Sequence, residues 1–135
     1  MESEIYAYFA LTKFDFEPEE ITAKLGIIPD ETWRVGDLIT PRGTIRKKHN
    51  GWRLNSKLDK SAELEDHIKS VLEQLQTGWL PLVELCSQYY AEIAGVIYYW
   101  SGSVPAIHFD KYIMQQVDEL NAEIDVDFYV LERND

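Results

Sequence analysis

Two aspartates near the carboxyl end of the chain have the spacing of a paired-carboxylate site. Asp125 and Asp127 lie in a segment where apolar and polar residues alternate. They therefore face one side of a strand, about 7 Å apart at the usual rise per residue. Two carboxylates can bind a divalent cation or share acid–base chemistry, but a cation site needs a further ligand such as Glu92 or Glu123. Nothing in the sequence places either residue beside the pair, so we favour a solvated strand face.

The nucleophiles and metal ligands of the chain are few and dispersed. Zinc and iron–sulfur sites need clustered ligands at short spacing, whereas this chain has only Cys86, His49, His67 and His108. Cys86 lies in an apolar stretch, where a small buried thiol is the default. His67 is expected to be a hydrogen-bonded residue at the edge of an amphipathic stripe, and His49 to add a pH-sensitive charge to a basic turn. Phosphate-binding glycine loops and serine nucleophile motifs are lacking, so no metal and no cofactor are expected.

Basic residues are concentrated between positions 34 and 60, which we call the basic segment. It holds eight lysines and arginines against two aspartates, a net charge of +6, whereas the rest of the chain carries −17. Arginine and tryptophan together are typical of binding hot spots. An exposed hairpin with lysines along its edge explains the same charges without a ligand, and we favour that explanation. The candidate binding residues are Trp33, Arg34, Arg42, Arg46, Lys47, Trp52 and Arg53.

The composition indicates a single domain over residues 1–135. A chain of 135 residues with 45% hydrophobic and 13% aromatic residues can bury a substantial core. Its apolar runs are far shorter than the ~20 residues of a membrane span, and the first twenty residues lack a basic secretory leader. With a single cysteine, these features predict a cytoplasmic protein without membrane association. The net charge of −11 opposes binding to nucleic acid.

The hydrophobic pattern predicts strands near both ends and in the second half of the chain. Apolar residues alternate over 5–12 and 124–130, and β-branched and aromatic residues dominate 91–100. Asn50-Gly51 is typical of a tight turn, which makes the basic segment one or two hairpins.

Helices are predicted between these strands. Pro18 suits the start of a short helix and Gly26 its left-handed end. A longer helix has its apolar residues between 64 and 75, with Ser61 as its N-cap, and a last helix begins at Asp110. The order of elements predicts an α+β fold with a mixed, mainly antiparallel sheet and helices on one face. We expect a ferredoxin-like sandwich with two β-α-β-like units.

Several short motifs, taken in order, are similar to those of one bacterial family. They are Phe14-Asp15-Phe16-Glu17-Pro18-Glu19-Glu20-Ile21-Thr22, Leu25-Gly26-Ile27, Pro29, Gly36-Asp37, Trp52-Arg53-Leu54 and Leu120-Asn121-Ala122-Glu123-Ile124-Asp125-Val126-Asp127. Together they resemble the family called domain of unknown function 4279 over almost the whole chain. The resemblance implies a small bacterial domain and supplies no activity, cofactor or catalytic residue to carry over.

Three functions stay open from the sequence. The first is a non-enzymatic interaction domain, of an immunity or regulatory type, whose acidic body attracts a basic protein partner. The second is a small-anion or nucleotide sensor that uses the basic segment, and the third is an enzyme with a carboxylate or cysteine site. We favour the first, so the chain is not expected to be an enzyme. An exposed edge strand or aromatic patch would also allow a homodimer.

Overall fold

The computed structural model describes residues 3–131 and contains a five-stranded sheet with helices on one face. The strands are β1 (Glu4–Thr12), β2 (Glu31–Trp33), β3 (Gly51–Asn55), β4 (Tyr90–Tyr99) and β5 (Glu123–Val130). The helices are α1 (Glu19–Leu25), α2 (Leu64–Leu75), α3 (Trp79–Cys86) and α4 (Lys111–Glu119), with a 3-10 turn at Gln76–Gly78 between α2 and α3. The predicted α+β class is confirmed.

The strand order is β2-β3-β1-β4-β5, and only the pair of β4 and β5 is parallel. Because β1 and β2 are both antiparallel to β3, they run in the same direction with β3 between them. The segment β1-α1-β2 is therefore a split β-α-β unit, and β4-α4-β5 is a second unit whose strands pair directly. The mixed, mainly antiparallel sheet predicted from the order of elements is confirmed, and the sheet is open.

The core lies between the helices and one face of this sheet. α2 packs closely on the sheet, because a Cβ added to Gly95 of β4 would lie only 2.5 Å from a methyl carbon of Leu64. All four helices contribute to the same hydrophobic cluster. The sheet residues fully buried in it are Ala7, Phe9 and Leu11 of β1, Trp52 of β3, and Ile93 and Ile97 of β4.

A long arm replaces the tight turn predicted at Asn50-Gly51. β2 and β3 form one hairpin, and the connection over residues 34–50 folds back on itself, with a 3.0 Å bond from the N–H of Ile39 to the carbonyl of Ile45. The side-chain amide of Asn50 donates to two carbonyls of the loop between β1 and α1. The tight-turn prediction is wrong because this long-range contact, rather than the local pair, fixes Asn50. We call residues 34–50 the arm.

The helix ends follow the sequence except at α2. Gly26 ends α1 with a left-handed φ of 67°, and the Asp110 carboxylate caps α4 by accepting from the N–H of Ile113 at 2.9 Å. Ser61 does not cap α2, because the helix begins at Leu64 with Glu63 as its N-cap residue; the hydroxyl and the N–H of Ser61 donate to the Asp59 carboxylate instead. Across residues 3–131, no helix is long and apolar enough to cross a membrane.

Candidate functional site

The second face of the sheet is left uncovered by the helices, and we call it the open face. Its residues alternate along each strand with those that enter the core. Its polar and aromatic residues include Trp33 of β2, Arg53 and Asn55 of β3, Tyr6 and Tyr8 of β1, Tyr90, Glu92 and Tyr98 of β4, and Glu123, Asp125, Asp127 and Tyr129 of β5. The face is therefore rich in tyrosine and in carboxylates.

Four carboxylates lie together on the open face, and we call Glu92, Glu123, Asp125 and Asp127 the acidic row. The parallel register sets Glu92 beside Glu123 and places Asp125 and Asp127 further along β5, opposite two apolar residues of β4. Neighbouring strands are about 4.8 Å apart and alternate residues of one strand about 7 Å apart, both within the Debye length of about 8 Å at physiological salt. The structure thus supplies the placement of Glu92 and Glu123 that the sequence left open.

The acidic row forms no ion pair within residues 3–131. The pKa of Glu92 is raised, first by burial and also by the charges of Asp125, Asp127 and Glu123, and a hydrogen bond from Tyr90 opposes this rise. The Tyr90 hydroxyl also donates to Glu123 at 2.5 Å, which raises the pKa of that phenol. The row therefore has a neutral hydrogen-bond donor at one end and like-charge repulsion among its carboxylates.

The acidic row is spread along two strands and does not converge on a point. Within residues 3–131, no group of three or more histidine, cysteine, aspartate or glutamate side chains is placed to hold a metal ion. What the row offers is an extended negative surface, and this suits several cationic side chains better than one ion.

Aromatic side chains cover the rest of the open face. Arg53, one of the predicted binding residues, has its guanidinium 3.8 Å from the ring centroid of Tyr8, and its Nε donates to Asn55 at 2.8 Å. Tyr98 and Tyr129 stack at 5.2 Å between centroids. These rings form a flat, amphipathic surface beside the acidic row, of the composition that protein interfaces favour.

Trp52 and Arg34 of the predicted binding set do not share a surface. Trp52 is fully buried, and its indole N–H donates to the Thr22 hydroxyl at 3.1 Å. It therefore anchors β3 against α1 and is removed from the candidate binding surface. Arg34 is exposed at the start of the arm, where its guanidinium forms ion pairs with Glu17 and Glu19.

Arg46 and Lys47 also have partners within the chain. Arg46 donates to the carbonyl of Gly36 at 2.8 Å, and the ammonium of Lys47 lies 4.4 Å from the ring centroid of Trp33. Arg42 is exposed near the turn of the arm. The structure thus uses most of these cations to hold the arm together and does not direct them toward one point.

The candidate nucleophile and His67 are both buried in structural roles. Cys86 is 1% exposed, and burial raises the pKa of its thiol to about 12, which keeps it protonated. His67 is fully buried, with Nδ1 2.7 Å from the Ser56 hydroxyl and Nε2 3.0 Å from the carbonyl of Asp59. Because a carbonyl only accepts, Nε2 carries the hydrogen and Nδ1 accepts from Ser56. The predicted hydrogen bonding of His67 is confirmed, whereas its predicted position at the boundary is wrong, because the side chain is fully buried.

Tyr6 and Tyr8 of the open face were missed by the sequence reasoning. The signal was present in β1, where Tyr6 and Tyr8 alternate with the buried Ile5, Ala7 and Phe9. That alternation predicts a second face of aromatic character. It does not reveal that the face lacks covering helices.

One comparison with known proteins matches the described part of the chain. The family described as "Domain of unknown function (DUF4279)" matches residues 3–131. Neither the curated proteins nor the solved structures contain a match to this sequence. The match spans nearly all of the sequence, so the chain belongs to the family called domain of unknown function 4279.

Proposed function

We propose that this chain is a non-enzymatic interaction domain that binds a basic protein partner through the open face. The observation that carries the proposal is the acidic row, whose four carboxylates lie on an uncovered surface without an ion pair inside the described part of the chain. A lysine or arginine of a partner would relieve the repulsion among these neighbouring carboxylates. The charge of −17 outside the basic segment also accelerates encounter with a cationic surface.

The tyrosines beside the row suit the same kind of partner. Tyr98 and Tyr129 are stacked on one another, and Tyr129 is 47% exposed. Rigid aromatic side chains provide contact area at a low cost in conformational entropy. A partner would place cationic groups over the acidic row and apolar groups over the tyrosines. We assign this role to the bacterial cytoplasm, as an immunity-type or regulatory module.

The test compares capture of basic proteins by wild type and by charge variants. The double variant Asp125→Asn/Asp127→Asn removes two charges of the row, and the matched control Glu73→Gln/Glu84→Gln removes two exposed charges from α2 and α3. Each protein is immobilised and exposed to a bacterial extract at low and at moderate salt. Wild type and the control should retain one stoichiometric basic protein that the double variant loses.

The expected size of the effect follows from the exposure of the row. An exposed ion pair contributes at most about 1 kcal/mol, so the loss of two pairs lowers the affinity for the captured protein by up to about thirtyfold. A captured protein that binds the double variant and wild type equally would contradict the proposal. So would the absence of any stoichiometric basic partner at low salt.

A further inference from the structure

The free edge of the sheet at β5 adjoins the acidic row. β5 is the last strand in the sheet and pairs with β4 alone. Its eight residues make a longer edge than the three residues of β2 on the opposite side. In the described part of the chain, no other backbone hydrogen bond reaches β5. Such an edge presents unpaired N–H and C=O groups to which a further strand can add.

One hydrogen bond shows which backbone groups of β5 are free. The N–H of Leu131 donates to the carbonyl of Tyr99 at 2.8 Å, so the backbone of Leu131 faces β4. Successive residues of a strand direct their backbone groups to opposite sides. The residues whose N–H and C=O groups face outward are therefore Ile124, Val126, Phe128 and Val130, and those of Asp125 and Asp127 face β4.

The two sides of β5 differ in chemistry. Its carboxylates, Glu123, Asp125 and Asp127, lie on the open face, and its apolar residues lie on the other side. There Phe128 and Val130 remain 39% and 68% exposed. A strand laid along this edge would set alternate side chains beside the carboxylates and the intervening ones beside the apolar groups.

The same pattern disfavours a second copy of β5 as the added strand. Pairing of two β5 strands would bring carboxylates opposite carboxylates, and like charges in cross-strand pairs are destabilising. The occupant that fits both sides is a strand in which basic and apolar residues alternate.

We propose that a partner strand of alternating basic and apolar residues adds to the edge of β5. This inference rests on the proposed function, because it names the element through which the basic partner binds. Backbone hydrogen bonds to the outward groups supply affinity, and the charges on the open face fix the register and exclude a second copy.

Two synthetic peptides of equal composition test the inference. One is an octapeptide that alternates lysine and valine, and the other is its block isomer, with four lysines followed by four valines. Fluorescence anisotropy should show about tenfold tighter binding of the alternating peptide, the size expected for one or two additional backbone hydrogen bonds. Amide hydrogen exchange should slow at Val126 and Phe128, whose N–H groups face outward, and stay unchanged at Asp125 and Asp127.

A matched pair of variants distinguishes the contribution of a backbone N–H to peptide binding from the contribution of its side chain. Phe128→Pro removes an outward N–H without removing a bond to β4, and Phe128→Ala shortens the same side chain while keeping the N–H. The proline variant should lose the preference for the alternating peptide, and the alanine variant should keep it. Thermal unfolding checks that both variants fold, and the exchange experiment on wild type decides the question if the proline variant does not.

The outcomes distinguish this inference from the proposed function. Equal binding of both peptides, without slowed exchange at Val126 and Phe128, overturns strand addition. If the variant Asp125→Asn/Asp127→Asn binds both peptides more weakly in that case, the proposed function keeps its support. If neither peptide binds at low salt, the proposed function fails, and strand addition fails with it.

Discussion

Protonation of His67 is expected to destabilise this protein. The imidazole is fully buried on α2 and makes two hydrogen bonds, with the Ser56 hydroxyl and the Asp59 carbonyl. The Ser56 oxygen also accepts from the N–H of Ala7 at 3.1 Å, so the network connects α2 to β1. Burial lowers the pKa of His67 because the imidazolium would lose its hydration there, which outweighs the attraction of nearby Asp59 and Asp66.

The sign and the size of the effect follow from proton linkage. A histidine in the unfolded chain titrates near pH 6.5, whereas folded His67 takes up a proton only at lower pH. Below about pH 6.5 the unfolded chain therefore binds more protons, and the free energy of unfolding falls by at most about 1.4 kcal/mol per pH unit. Between pH 6.5 and pH 5.5 this corresponds to a decrease in Tm of roughly 5 °C for a domain of this size.

Thermal unfolding between pH 8 and pH 5 measures this contribution. The variant His67→Gln removes the titrating group, and His108→Gln removes a histidine whose side chain is 74% exposed. The His108 variant should follow the wild-type curve. The His67 variant should be less stable at pH 8 and lack the additional decline below about pH 6.5. Parallel curves for wild type and His67→Gln would refute the reasoning.

Three further perturbations test the packing and the charges described above. Gly51→Ala should displace Trp33 at a cost of about 1–3 kcal/mol, because the new Cβ would lie 2.0 Å from the indole ring; unchanged tryptophan emission would contradict this. Cys86, with its pKa near 12 and its burial, should resist thiol reagents at pH 8 until the protein is denatured, and fast labelling of the native protein would contradict it. Glu92→Gln should raise stability at pH 7 by about 0.5 kcal/mol, the cost of one like-charge cross-strand pair. That gain in stability should disappear below about pH 4, where Glu92 is protonated in both the folded and the unfolded chain. A larger gain at low pH would show that the charge of Glu92 does not destabilise the folded protein.

The elements that the sequence predicts well are those fixed by local interactions. The apolar stripe of α2 has the helical period in its own residues, and the cap of α4 depends on the contact of Asp110 with Ile113, three residues away. Gly26 and Asn121 occupy left-handed conformations at positions where such residues commonly end helices. In each case the determining contact lies within one or two turns.

The failed predictions depend on a distant contact in one case and on the start of a helix in the other. Asn50 precedes a glycine and resembles a turn residue, but its amide bonds to carbonyls of the loop between β1 and α1, more than thirty residues away. Ser61 fails as a cap because α2 begins two residues later than a cap there requires, at Leu64. A local pattern reveals neither a distant partner nor the exact residue at which a helix begins.

The candidate site is the clearest case of information that local patterns lack. The proximity of Glu92 to Glu123 requires that β5 pair in parallel with β4 and in one register. The crossover between these two strands runs through α4, which buries Ile113 and Val117 in the core. A shift by one residue would turn Asp125 and Asp127 toward the core face. The alternation in β5 thus predicts a row of two aspartates, and only the tertiary fold extends it to four carboxylates.

The structure also changes the meaning of the net charge. Part of the basic segment is neutralised within the chain, since Arg34 pairs with Glu17 and Glu19 and Lys57 pairs with Asp30. Those acidic partners are thereby removed from the charge that a ligand meets. The acidic row has no such partners among the described residues, so its potential is stronger than an even distribution of −11 would give. Because interactions between exposed charges extend about 8 Å at physiological salt, a bound cationic partner is attracted mainly by this local row, whereas the charge of −17 outside the basic segment acts on its approach. Substitutions on the open face of β4 and of the edge strand β5, rather than in the arm, should therefore alter binding most.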